Sequence, residues 1–328
     1  MTGRWIRTLA FLGIVCHAWC VQAQTVVLYS SNNAEIIANA VGSAKKKVPS
    51  LQIKSVTGGT GTLLKRIQSE AASPVADIFW SGGVGTLAAF PDVMEPYESP
   101  EAKAIPLQFR DPKGRFIGVN LHVMVLMVND KMLRGLPPPK SWTDLMKPEW
   151  KGKFALTDPS KSGTAFIQIY GFLKQFGREG LEKIAANAVV VQSSGQVYKS
   201  AATGEYPVGL TTEAAAYQFV VDGQKEIKLV YPSEGTYLGP EGMFIVKGSK
   251  NLGAAKQFYD VLLSKDAQES LLMQLYRRPT RSDIAVSKLT GLPELSSLKV
   301  FPLNLQVATE EYEQLIALWN LAVAKAKR

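Results

Sequence analysis

Five times along this chain a short apolar run ends in serine, threonine, asparagine or glycine and passes at once into a helical pattern. The junctions are Ser30-Ser31-Asn32-Asn33 after Tyr29, Thr57-Gly58-Gly59-Thr60-Gly61-Thr62 after Val56, and Ser81-Gly82-Gly83 after Trp80. Two more follow at Ser160-Lys161-Ser162-Gly163-Thr164 and Thr211-Thr212-Glu213. A helix start presents unpaired N–H groups and a partial positive charge, and glycine or serine beside it lets an anion come close. Each junction alone is ordinary N-cap chemistry. Five in one chain point to an anion site at the carboxyl ends of strands, where open α/β sheets bind ligands.

Other chemistries are poorly provided for. Gly59-Thr60-Gly61-Thr62 resembles part of a dinucleotide fingerprint, but Leu64 stands where the third glycine belongs, and no Gly-Lys-Ser/Thr follows for a phosphate loop. There is no Gly-x-Ser-x-Gly elbow, and His122 lies in an apolar strand pattern, Val119 to Met124, which reads as a core or hinge position rather than a general base. No Asp/Glu spacing marks a catalytic pair or a calcium loop.

The first 23 residues read as a secretion signal: Arg4 and Arg7 precede an apolar run from Leu9 to Trp19, and Val21-Gln22-Ala23 offers a small-residue exit. Cleavage after Ala23 would remove both cysteines, Cys16 and Cys20, and one of two histidines, His17. Disulfides, cysteine nucleophiles and multi-histidine metal centres are then excluded, so no metal and no cofactor is expected. Neither cysteine has the neighbours of a lipidation site, which favours release into the periplasm. The formal charge of +9 falls to +7 without Arg4 and Arg7, and its dense clusters, Lys45-Lys46-Lys47 and Arg277-Arg278-Pro279-Thr280-Arg281, carry no interleaved aromatics. Nucleic acid is not an expected partner.

The elements that must position the junctions are legible from periodicity. Strands are predicted at Thr25–Tyr29, Leu51–Val56, Ala76–Trp80, Phe116–Val128, Lys153–Thr157, Ala188–Val191, Tyr206–Leu210, Ile227–Tyr231 and Gly242–Val246. Helices are predicted from about Thr62, from Ser162 to Gly177, and from Thr212 to Gly223 with Tyr217, Val220 and Val221 inward. The alternation implies an α/β fold of mainly parallel sheets flanked by helices, and the long run at Phe116–Val128 suits a strand crossing between two lobes.

In order, the signal segment, Val27-Leu28-Tyr29-Ser30-Ser31, Ala76-Asp77-Ile78-Phe79-Trp80, Trp142-Thr143-Asp144-Leu145 and Pro159-Ser160-Lys161-Ser162-Gly163-Thr164 resemble a bacterial ABC-transporter substrate-binding protein. The resemblance is to the ferric-ion-binding-protein-like family, which includes binders of sugar phosphates, phosphonates, phosphoglycerate and thiamine. It implies the type II periplasmic binding protein fold, two α/β lobes joined by a hinge that close on a ligand and deliver it to an inner-membrane permease and its ATPase. Residues 24–118 would open lobe 1, 119–235 form lobe 2, 236–285 return to lobe 1, and 286–328 supply C-terminal helices packed on lobe 2.

Departures from the iron-binding pattern bear on the ligand. Asn33 stands where those members carry histidine, Gly82-Gly83 replaces their Glu-Gln pair, and Ala214-Ala215 replaces their paired tyrosines. Ferric iron wants hard anionic oxygen ligands, which alanine and glycine lack. The expected function is capture of a small phosphorylated or phosphonate organic anion by a non-enzymatic monomer. The expected site comprises Ser30, Ser31, Asn33, Thr60, Ser81, Gly82, Ser162, Gly163, Thr164 and Thr212, with Glu213, Tyr237 and Glu241 for amine or hydroxyl groups and Arg278 as a neutralising or merely surface charge; the alternatives are a favourable first-turn carboxylate for Glu213 and a packed hinge residue for Tyr237. A ferric carrier with a synergistic anion, and a secreted α/β hydrolase or nucleotide enzyme, are the alternatives. Sugar phosphate, aminoethylphosphonate, phosphoglycerate and dicarboxylate remain open as ligands.

Overall fold

The computed structural model describes residues 24–327, so the expected signal segment lies outside the described residues. Eleven strands are present among them: β1 (Gln24–Ser30), β2 (Leu51–Thr57), β3 (Ile78–Gly83), β4 (Met94–Glu95), β5 (Ile117–Asn129), β6 (Phe154–Thr157), β7 (Ala188–Val191), β8 (Val208–Thr212), β9 (Ile227–Val230), β10 (Leu238–Val246) and β11 (Arg278–Pro279). The helices are α1 (Ala34–Lys47), α2 (Thr60–Ser69), α3 (Val84–Leu87), α4 (Gly163–Asn187), α5 (Ser194–Thr203), α6 (Glu213–Val221), α7 (Leu252–Leu263), α8 (Lys265–Leu275), α9 (Val286–Leu289), α10 (Leu305–Glu310) and α11 (Tyr312–Ala326). All nine expected strands are found within a few residues of their predicted ends. β4 and β11 were not expected, because two residues carry no periodicity.

The strands run in the order β2-β1-β3-β10-β5-β8-β6-β7. β1 pairs in parallel with β2 and β3, and β6 with β7 and β8, as βαβ alternation requires. The middle differs from the mainly parallel expectation: β10 and β5 are antiparallel to each other and to their outer neighbours, and β9 and β11 also join β5 antiparallel. Of these, β5 passes from one lobe core into the other.

β5 shows why a crossing strand must be apolar throughout. Residues Ile117 to Val123 pair with β10, whereas Met124 to Asn129 pair with β8 and β9. Val119 and Leu121 lie in one core with Leu28, Trp80 and Phe258, and Met124, Leu126 and Val128 lie in another with Trp142, Phe166 and Trp319. All thirteen residues are buried, because both faces are covered in both lobes.

Helices follow the same logic. In α1, Ile36, Ile37, Ala40 and Ala44 form the buried stripe, the Asn33 side chain accepts from the Ile36 N–H as N-cap, and Lys45, Lys46 and Lys47 sit at the negative end of the helix dipole. Each buried isoleucine contributes roughly 1.5–3 kcal/mol. α4 breaks at Gly177, where φ is +67°, at the predicted stop, and helical structure then resumes to Asn187. In α11, Leu315, Trp319 and Ala322 are buried on the lobe 2 core.

α6 corrects the predicted inward face. Ala216 is its buried apolar residue, Tyr217 and Val220 are half-buried, and Val221 is 48% exposed. Tyr217 packs edge-on against Tyr276 instead, with ring centroids 4.9 Å apart. No described helix is long and apolar enough to cross a membrane.

Candidate functional site

Two clusters of hydroxyl groups stand at the carboxyl ends of the strands, one in each lobe. In lobe 1 the Ser31 hydroxyl meets Thr60 Oγ1 at 3.0 Å and is also hydrogen-bonded to Ser81 Oγ. Gly82 makes this possible: its φ of +70° is left-handed, and a Cβ there would meet Thr60 Cγ2 at 2.6 Å. In lobe 2 the Ser162 hydroxyl meets Thr164 Oγ1 at 2.9 Å and Ser194 Oγ at 2.7 Å, while accepting from the Ala165 N–H at 3.3 Å.

Ser162 caps α4 and Ser194 begins α5, so the positive ends of two helices meet at one pair of hydroxyls. The lobes touch here. A Cβ on Gly163 would lie 2.9 Å from the Gly83 nitrogen, which leaves room for glycine only.

Not every residue expected at the site is free to serve it. The Ser30 hydroxyl is buried and donates to the Trp80 carbonyl at 2.6 Å, so it ties β1 to β3. Asn33 spends its side-chain oxygen on the α1 cap. Thr212 is buried at the end of β8, opposite Met124, and makes no side-chain cap bond to α6.

Three expectations are corrected. Tyr237 is fully buried in the lobe 2 core, stacked on Trp142 at 5.2 Å and donating its hydroxyl to Gln175 at 2.7 Å, so it faces packing rather than ligand. The Glu213 carboxylate is engaged on both oxygens by Arg278, at 2.6 and 2.8 Å, and accepts from the Tyr231 hydroxyl, leaving it unavailable to a ligand amine. Arg278 in turn is only 2% exposed, neither a surface charge nor a free neutralising group. Burial and the adjacent Glu213 push the Tyr231 phenol far up, so it stays a proton donor. The pairing matters for an anion site, because it cancels a carboxylate standing in the first turn of α6.

Sequence reasoning missed Ser194. The signal was present: Ser193-Ser194-Gly195 follows the apolar run ending at Val191 and opens α5, a sixth junction like the other five. It also missed Asn32, Asn120 and Arg277, which gather around Glu241 and His122. Glu241 lies opposite Asn120 on the β10/β5 ladder and opposite Gly83 on β3, while His122 lies opposite Gly239. Arg277 Nη1 is 3.7 Å from Glu241 Oε2 and 3.5 Å from His122 Nδ1. Burial raises the Glu241 carboxyl, opposed by Arg277 and by the Asn32 and Asn120 amides. Burial, aided by Arg277, drives His122 down to about 3, so the ring is neutral at physiological pH. A surface groove of about 360 Å³ runs along α5, lined by Ser193 and Gly195 on either side of Ser194, and one of about 550 Å³ lies between α6, β9 and Gly291–Pro293.

The hydroxyl-bearing strand and helix ends of the two lobes adjoin at the contact of Gly163 with Gly82 and Gly83, an arrangement suited to holding a solute between lobes. Residues 73–301 match the family described as bacterial extracellular solute-binding protein. The chain belongs to that family. As a solute-binding protein it is similar in structure to the periplasmic binding protein AfuA of Actinobacillus pleuropneumoniae, solved with exogenous fructose-6-phosphate bound, with a TM-score of 0.84 and 27% identity covering 92% of this chain and 98% of that one. It is 25% identical to a probable ABC-transporter periplasmic-binding protein of Sinorhizobium fredii, covering 75% of this chain and 72% of the relative. It is also 25% identical to an Fe(3+)-binding periplasmic protein of Serratia marcescens, covering 86% and 83%. The fold is that of the type II periplasmic binding proteins.

Proposed function

We propose that this solute-binding protein captures a small phosphorylated or phosphonate organic anion between its lobes and hands it to an inner-membrane ABC permease. The observation that carries the reading is the meeting of the α4 and α5 starts at Ser162 and Ser194, 2.7 Å apart, facing Ser31, Thr60 and Ser81 across the Gly83–Gly163 contact. Helix-end N–H groups and hydroxyls that otherwise bond only one another can all turn their protons to one tetrahedral anion. Ser31, Thr60, Ser81, Gly82, Ser162, Gly163, Thr164 and Ser194 are its contacts in this reading.

The capture role agrees with the family, whose members bind solutes, and with the resemblance to AfuA and to the Sinorhizobium relative. We also propose that the ligand leaves chemically unchanged, that the protein is a periplasmic monomer released by cleavage near Ala23, and that the lobes divide near Val123/Met124, Tyr237/Leu238 and 285/286, the first two shifted from the expected 118/119 and 235/236 because Val119 and Leu121 pack in the lobe 1 core and Tyr237 in the lobe 2 core. Calorimetric titration with phosphate esters, phosphonates and ferric citrate, with ligand recovered intact afterwards, tests the reading. Stoichiometric binding of a phosphate ester or phosphonate is expected. Tight binding of ferric iron with no affinity for any phosphorylated compound would overturn it.

A further inference from the structure

Holding a dianion takes a cation as well as hydroxyls, and the cation expected for that task, Arg278, is buried against Glu213. Lys161 stands in its place. It directly precedes Ser162, the cap of α4, and its Nζ donates to Gln192 Oε1 at 2.5 Å. Gln192 directly precedes Ser193, the cap of α5, so the lysine and its acceptor hold equivalent positions, each one residue ahead of a helix cap. Their contact bridges the two loops that lead into the helix starts, the loops whose Ser162 and Ser194 hydroxyls meet at 2.7 Å.

Three observations set this ammonium apart from an ordinary surface lysine. Its acceptor is a neutral amide, which leaves the charge uncancelled, and Lys161 joins no salt bridge among the described residues. The carboxylate of its own loop, Asp158, is turned to Ser160, accepting from the N–H at 2.8 Å and from the hydroxyl at 2.5 Å. The location is also unfavourable in itself, because a cation at a helix start is repelled by the macrodipole, and here two helix starts converge. An anion bound between them removes that repulsion. One of the three ammonium protons is used on Gln192, which leaves two for ligand oxygens.

The charges match a particular ligand valence. Two helix starts at about +0.5 each and the full charge of the ammonium come to about +2. A phosphoryl group near neutral pH carries about −1.5 to −2, whereas a sulfate ester or a sulfonate carries a single charge.

We propose that Lys161 is a ligand-binding residue that completes the charge of the lobe 2 cradle and selects a dianionic phosphoryl group over a monoanionic group of the same shape. This rests on the anion reading of the cradle. Gln192 is the positioning residue that aims the ammonium.

The test is calorimetric titration with three pairs alike in shape and different in charge: ethyl phosphate with ethyl sulfate, 2-aminoethylphosphonate with taurine, and glucose 6-phosphate with glucose 6-sulfate. At least one phosphoryl compound should bind, about tenfold or more tighter than its sulfur counterpart. Lys161→Met should weaken that compound roughly tenfold to a hundredfold while changing the counterpart little, so the preference collapses. Lys161→Arg keeps the charge and should keep most of the preference, and Gln192→Ala should fall between the two. In the ligand-free protein, Lys161→Met should leave the urea midpoint unchanged or raise it, since the cation opposes two helix dipoles. A loop-tying lysine would do the reverse, lowering the midpoint with affinity intact, and that result overturns the inference while the anion reading survives. Equal wild-type binding of both members of a pair overturns it in the same way and needs no variant. If none of the three phosphoryl compounds binds, the inference and the anion reading fail together.

Discussion

Arg278 and Glu213 are joined across the hinge by a bidentate salt bridge of 2.6 and 2.8 Å, both side chains 2% exposed. Arg278 belongs to β11, which pairs with the lobe 1 half of β5 at Leu121, whereas Glu213 opens α6 in lobe 2. Arg278 Nη2 also donates to the Pro293 carbonyl at 2.6 Å. The pair thus ties a strand on the lobe 1 half of β5 to the start of α6 in lobe 2.

Breaking it from one side should be costly. Arg278→Met strands a buried carboxylate and Glu213→Gln strands a buried guanidinium, so each should lose about 3–5 kcal/mol in denaturant unfolding. The double variant Glu213→Gln/Arg278→Met should lose clearly less than the two single losses added together. Additive losses would mean the two side chains act independently.

Ser162 and Gly163 separate anion binding from capping. Ser162→Ala removes one charge-assisted donor, worth about 1.5–3 kcal/mol, and should weaken a bound phosphate ester roughly tenfold to a hundredfold. Gly163→Val should do more harm, because its side chain would collide with the Gly83 backbone, and small-angle scattering should then show no ligand-induced compaction. If Ser162→Ala lowers thermal stability by a cap's worth, about 1 kcal/mol, with affinity intact, Ser162 is a cap alone.

His122 should leave a signature in acid. Its folded pKa of about 3 lies below the unfolded 6.5, so between those values the unfolded chain binds the extra proton. Stability should therefore fall as pH drops from 6.5 toward 3, by up to about 1.4 kcal/mol per unit from this residue. Glu241 works in the opposite sense: its raised pKa favours the folded state below the unfolded value of 4.5 and gives that contribution up as pH climbs through the folded value. His122→Gln should flatten the loss between pH 6.5 and 5, as followed by urea midpoints. An unchanged slope would place the effect elsewhere.

Ferric iron should give no tyrosinate charge-transfer band on addition of ferric citrate. Ala214 and Ala215 occupy the first turn of α6, and Gly82 and Gly83 the end of β3, so these positions supply no side-chain oxygen. A visible band with stoichiometric iron would return the ferric carrier to first place.

Strand positions, the crossing strand and the helix start at Ser162 were legible in the letters, because burial on both faces forces unbroken apolar runs and a helix start demands a capping group; the helix expected from about Thr62 begins at Thr60, after an uncapped Gly59. The same local logic held Ser194 in plain view. It could not rank the junctions, since Ser30 and Ser31 are adjacent and look alike, yet one is consumed by the Trp80 carbonyl and the other opens onto Thr60 and Ser81.

What the sequence by itself determined is the alternation of strands and helices, the hydroxyl-rich strand ends and the absence of nucleotide and elbow motifs, all of which are local or compositional. Pairings between distant segments were decided only by the tertiary structure. Glu213 looked like a ligand group until β11, a strand too short to predict, brought Arg278 onto it from 65 positions away. Tyr237 looked like a cleft residue until Trp142 and Gln175 were found to enclose it. Asn32, Asn120 and Glu241 carry no shared pattern along the chain, because their meeting depends on the register of β10 against β3 and β5. Local propensity says where an element begins, but which polar groups meet is settled by how the elements pack.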